Sequence, residues 1–161
     1  LWERLEHLLN RDPFAAGDDL PGFLRQHASQ AGVDESTLDA RLFIESLLLP
    51  ATVQGTVREL MRSKIPLRLF GAGWQNLADF APVAAGPVAS REALRSAAAG
   101  STRLIHVLPG SGFHPIDSVG LPVLRRTQPS LNAFVQQVKQ NRALTPQTIP
   151  PISIEMIASL I

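Results

Sequence analysis

The apolar positions change rhythm near residue 65, from helical spacing to short runs that each end in a turn. Leu1, Leu5, Leu8 and Leu9 recur at helical spacing and stop at Asn10-Arg11-Asp12-Pro13, which predicts a short helix. A second helix is expected over 20–30, with Pro21 near its start and Gly32 after its end, the usual asymmetry of helix stops. Asp34-Glu35-Ser36 offers polar N-terminal residues for a third, on which Leu38, Leu42, Phe43, Leu47 and Leu48 make a wide, largely buried apolar face as far as Pro50. After Pro50 a further helix is expected over 52–63. Val53, Val57, Leu60 and Met61 lie on one side of it, and Arg58, Arg62 and Lys64 near its end, where cations suit the helix dipole.

From Ile65 onward the pattern is that of strands. Leu67-Arg68-Leu69-Phe70 precedes Gly71-Ala72-Gly73-Trp74, and Val83-Ala84-Ala85 precedes Gly86. Leu104-Ile105-His106-Val107-Leu108 precedes Pro109-Gly110-Ser111-Gly112, and Leu121-Pro122-Val123-Leu124 precedes Arg125-Arg126. A helix over 90–99 separates the second run from the third, with Ser90 as N-cap and Gly100 as stop. The tail returns to helix over 130–141, passes Pro146, Pro150 and Pro151, and ends on an apolar segment. This order is the grammar of an α/β ligand-binding domain, in which ligands sit beyond the carboxyl ends of parallel strands.

A chain of 161 residues is most simply one domain with a real core. Its expected parts are a helical N-terminal segment over 1–64, an α/β core over 65–145, and a proline-containing linker with an apolar C-terminal segment over 146–161. With 45% hydrophobic and 18% charged residues and a net charge of +1, the composition is ordinary and gives no electrostatic footing for nucleic acid. The absence of cysteine excludes disulfides, thiolate nucleophiles and cysteine-based metal sites. No apolar run approaches the roughly 18 residues of a membrane span, and Leu1-Trp2-Glu3-Arg4 lacks the order of a secretory signal, so a soluble, cytoplasmic protein is expected. The chain starts without methionine and finishes on the apolar stretch 154–161, which is expected of a piece of something longer. Such an end calls for a second domain or a homo-oligomeric partner to cover it.

Two turns offer binding chemistry. Gly71 and Gly73 follow a strand and let the backbone approach a phosphate without a Cβ in the way, although they serve equally as a plain turn. The third glycine of a dinucleotide fingerprint and the lysine of a P-loop are both missing. Trp74 either lies over a nucleobase or sugar or fills the core with its N–H satisfied. In the second turn, His114 can donate to a diphosphate and Asp117 can accept from sugar hydroxyls; the alternative is that His114 caps a strand end and Asp117 starts a helix. His106 reads as a core histidine inside a strand, and His7 and His27 as solvent-side helix residues. Arg125 and Arg126 offer paired N–H groups for a phosphate, or a solvated strand end. No Ser-His-Asp order, HExxH motif or metal-spaced histidine and carboxylate cluster is present.

Taken in order, these segments resemble the donor-binding half of GT-B glycosyltransferases, particularly the spore maturation protein CgeB-like branch. Val57-Arg58-Glu59-Leu60 followed by Leu67 to Trp74 resembles that branch's helix, strand and G-x-G-W turn. Gly86-Pro87-Val88 with the helix from Ser90, then Leu104 to Leu108, His114, Asp117 and Gly120-Leu121-Pro122-Val123-Leu124, resemble the steps after it. The likeness spans about 35–127. It departs from the family between His114 and Gly120, six positions apart, where the family has a helix. The resemblance implies a Rossmann-like parallel sheet with flanking helices and a helical N-terminal third. It also implies a nucleotide diphosphate sugar as donor substrate near Gly71, Gly73, Trp74, His114 and Asp117, and an acceptor of unknown identity. No metal, no separate cofactor and no catalytic base are assigned. The alternative is a non-catalytic Rossmann-like interaction module in a larger assembly.

Overall fold

A computed structural model describes residues 1–98, 101, 104–106, 123–125, 130–143 and 152–155. Helices pack on a parallel sheet, and the helical first third has an apolar cluster of its own.

Helix α1 (Trp2–Arg11) buries Leu5 and Leu9 and ends at Asp12, whose carboxylate accepts from the Phe14 N–H at 3.0 Å and turns the chain. Helix α2 (Leu20–Gln30) starts as its sequence directs, with the Asp19 carboxylate accepting from the Gly22 N–H at 2.9 Å and a proline in its first turn. It closes on Gly32 at φ +67°, with the Gly32 N–H donating to Ser29 and the Val33 N–H to Ala28, the paired bonds of a Schellman ending. His27, expected on the solvent side, is half-buried against the Phe23 ring at 4.5 Å.

The next two expected helices are one. A 3₁₀ turn at Glu35–Thr37 leads into α3 (Ala40–Phe43), a π turn at Ile44–Leu48, and α4 (Leu49–Arg62), without a break at Pro50. Proline in a helix lacks an N–H and crowds the carbonyl four residues back. The wider π turn directly before it, in which the Leu49 N–H reaches Ile44, relieves that crowding. On α3 the apolar face is less buried than its spacing suggests, for Leu42 is 50% exposed.

Among the described residues five strands follow: β1 (Leu67–Phe70), β2 (Ala84–Gly86), β3 (Leu104–His106), β4 (Val123–Arg125) and β5 (Ile152–Glu155). Their order is β2-β1-β5-β3-β4, and every neighbouring pair is parallel. Helix α5 (Arg91–Ala98) lies between β2 and β3 in the chain, and α6 (Leu131–Ala143) between β4 and β5. The strand that the sequence leaves out is β5. Ile152–Glu155 was expected in the linker and apolar end over 146–161, yet it pairs with β1 on one side and β3 on the other. The correction has a plain physical cause: a strand of four residues takes its identity from the two neighbours that satisfy its backbone, and both are distant in sequence.

Two apolar clusters share the long helix. Leu5, Leu9, Ala16, Leu20, Leu24, Leu47 and Leu48 form the helical one. Val53, Val57 and Leu60 of α4 join Leu67, Leu69 and Ile105 of the sheet and Phe134, Val135 and Val138 of α6 in the other. Each such side chain contributes about 1.5–3 kcal/mol on burial, so α4 ties the helical third to the sheet. Thr52 and Thr56 are buried on it with their hydroxyls bonded to the Leu48 and Thr52 carbonyls. Helix α4 ends in a second Schellman pair, Lys64 N–H to Met61 and Ile65 N–H to Leu60, which sets Lys64 at φ +56° and seats Ile65 beside Leu60 in the core. Among the described residues no helix is long and apolar enough to cross a membrane.

Candidate functional site

The chain leaves β1 for β2 on one side and returns to β3 and β4 on the other, so the sheet reverses direction around β1 and β3, with β5 between them. In open parallel sheets the ligand crevice lies at the carboxyl ends beside such a reversal. The carboxyl end of β1 carries the turn that the sequence singled out.

Three glycines shape that end. Gly71 sits at φ +126°, Gly73 at φ +90° and Gly86 at φ +89°, conformations that residues with a Cβ rarely adopt. The pairing of β1 with β2 slips by one residue between Leu69 and Phe70, and the Gly71 N–H then donates to the Gly86 carbonyl at 2.9 Å. A Cβ built at Gly73 or Gly86 would meet no atom within 4 Å, so the space above these two glycines is open. Gly86 has no mark of a site residue in the sequence, because one glycine after three small apolar residues does not record its partner across the strand.

Trp74 settles into the second of its two readings. Its indole is 1% exposed, its N–H donates to the Phe70 carbonyl at 3.2 Å, and it meets Phe80 edge-on at 5.1 Å. The ring therefore fills the floor beneath the turn and presents no face to a nucleobase. Gly73 leads into a 3₁₀ turn at Trp74–Asn76 rather than an α-helix, and a second 3₁₀ turn at Ala81–Val83 completes the connection to β2. Whatever positive potential this turn offers comes from local amides, with no long helix dipole behind it.

Charged side chains flank the floor. The Arg58 guanidinium lies 5.2 Å from the centre of the Phe80 ring and 3.4 Å from the Asp79 carboxylate, and Arg68 lies 5.2 Å from the Phe70 ring. Sequence reasoning missed Arg58 because it faces a residue 21 positions away with no motif between them. His114 and Asp117 lie outside the described residues, as do Arg126 and Gly100. His106 and Arg125 are opposite each other in the register of β3 and β4. The pKa shifts that stand out are elsewhere: burial first and the Arg4 charge second hold His27 below its ordinary value, and the Ser36 amide bond lowers Asp34. Among the described residues no group of three or more His, Asp or Glu is placed to hold a metal ion. Comparison with family models, curated proteins and solved structures finds no match for this chain.

Proposed function

We propose that this chain is a Rossmann-like donor domain that binds a nucleotide diphosphate sugar at the carboxyl ends of its strands, for transfer of the sugar to an acceptor. The observation that carries the reading is the glycine-lined end of β1 and β2, where Gly73 and Gly86 keep Cβ atoms out of an open space and Gly71 takes a positive φ at the strand ends of a parallel sheet. In this reading the amides of the 71–73 turn and His114 offset diphosphate charge as the leaving group departs, and Asp117 accepts from sugar hydroxyls. Those two roles rest on the resemblance of the chain to GT-B donor domains. Trp74 acts as the floor of the turn. Positioning and electrostatics supply the catalysis, and the acceptor and its base come from another domain or chain. A cytoplasmic location, where nucleotide sugars are made, belongs to the same proposal.

The absence of an α-helix behind the glycine turn favours a second reading, a non-catalytic interaction module built on the same sheet. Titration with UDP, GDP and their hexose derivatives, followed by thermal melting, separates the two. A ligand at 100 times its Kd stabilises the folded state by about 2.7 kcal/mol. A rise in Tm with one nucleotide family is expected; no rise with any of them at millimolar concentration refutes the donor site.

A further inference from the structure

We infer that Arg58 is a positioning residue that holds the glycine turn in its binding geometry through a column of side chains. The column runs from α4 to the end of β1. Arg58, on α4, stands 5.2 Å from the Phe80 ring centre and donates to both Asp79 and Gln54 at 3.4 Å. Phe80 is fully buried and meets Trp74 edge-on, with ring planes at 89°. Trp74 in turn donates its indole N–H to the carbonyl of Phe70, the last residue of β1. The next residue is Gly71, whose N–H closes the turn onto Gly86.

The column has one end on a rigid helix and the other on the strand end. Residues 74–83 between them form short turns rather than a longer helix or strand: Leu77 N–H bonds to Trp74, Phe80 and Ala81 N–H both to Leu77, and Val83 N–H to Phe80. Such turns open more readily than helix or sheet. The α4 side of Phe80 is where the guanidinium sits, held on its two sides by Asp79 and Gln54. Arg58 and Asp79 have side chains 38% and 67% exposed, so the pair adds little to global stability. Its effect is local: it keeps Phe80 pressed on Trp74, and Trp74 on Phe70, so that the turn meets a ligand already formed. Preorganisation of this kind lowers the ordering cost of binding. The nucleotide-binding consequence rests on the function proposed above; the mechanical coupling does not.

The test uses the full chain with Arg58→Met, which removes charge and donors but keeps length, and Arg58→Lys, which restores the cation over the ring. NMR hydrogen exchange is read at the Gly71 amide and the Trp74 indole, against the Leu24 amide in the helical cluster as an internal reference. In Arg58→Met both probes are expected to exchange about tenfold faster relative to Leu24, the indole resonance to shift, and Arg58→Lys to recover most of both. Equal acceleration at all three sites, or none at any, overturns the proposal. If Arg58→Met does not fold, Asp79→Asn carries the same reading at smaller amplitude, and an unchanged Trp74 indole there overturns it. UDP titration of the same variants is scored separately. A wild-type protein that binds no nucleotide sinks the donor reading while the exchange data still decide the coupling.

Discussion

His27 shows what a single titrating side chain does here. Its Nδ1 is buried without a hydrogen-bond partner, the Phe23 ring packs against it, and burial, followed by the Arg4 charge, lowers its pKa. A histidine whose folded pKa lies below its unfolded value binds protons more readily in the unfolded chain, so stability rises with pH. The neutral form costs nothing above the ordinary value of 6.5, and stability is lost as pH falls through 6.5 towards the lower folded value. Urea midpoints are therefore expected to drop between pH 7.5 and pH 5.5 in the wild type and to drop less in His27→Gln. A pH dependence as steep in the variant would remove His27 as its source. The sequence placed this residue on a helix but turned it to solvent, because periodicity locates a face and not the loop or helix that comes to cover it. Trp74 has the same lesson in reverse: both of its readings were legible, and only the Phe70 carbonyl and the Phe80 ring decide between them.

At the scale of elements, α4 is where local preference and packing disagree most. Gly55 stands in the middle of this helix, where alanine would ordinarily add about 1 kcal/mol of helix stability. A Cβ at Gly55, however, would collide with the Pro13 ring, which the turn after α1 lays across the helix. Overpacking of this sort costs about 1–3 kcal/mol and outweighs the propensity gain. Gly55→Ala is expected to lower the urea midpoint, and a stabilised variant would show that Pro13 does not seat there. Pro50 makes the complementary point. It reads locally as a helix boundary, and the four strands β1 to β4 and the proline start and glycine stop of α2 are equally legible from their turn residues. The continuous run from α3 through the π turn into α4 was not, because burial of Leu47 and Leu48 on one cluster and Val53 and Val57 on the other favours carrying the helix past the proline. Lys64 in a left-handed position likewise follows from seating Ile65 in the core and from no preference of lysine.

For the whole molecule the decisive element is β5. Ser153 is opposite Arg68 of β1 and Leu104 of β3, so the strand joins the two halves of the sheet. Proline there removes a ladder N–H and is not tolerated in a central strand. Ser153→Pro is expected to cost on the order of 3 kcal/mol or more and to lower the urea midpoint followed by far-UV circular dichroism. An unchanged midpoint would mean that β1 and β3 are held together by something else. The candidate site depends on the same joint, since the ends of β1 and β3 flank β5. By itself the sequence determined the runs that became α1, α2 and the strands β1 to β4, the glycines of the β1 turn and the lack of thiol chemistry, all of which follow from short-range sterics and composition. The tertiary structure alone decided the place of β5, the Gly71 to Gly86 closure, the burial of Trp74 and the Arg58 column. Each of these joins residues far apart in the chain, and no local spacing records which distant backbone group or ring will satisfy them.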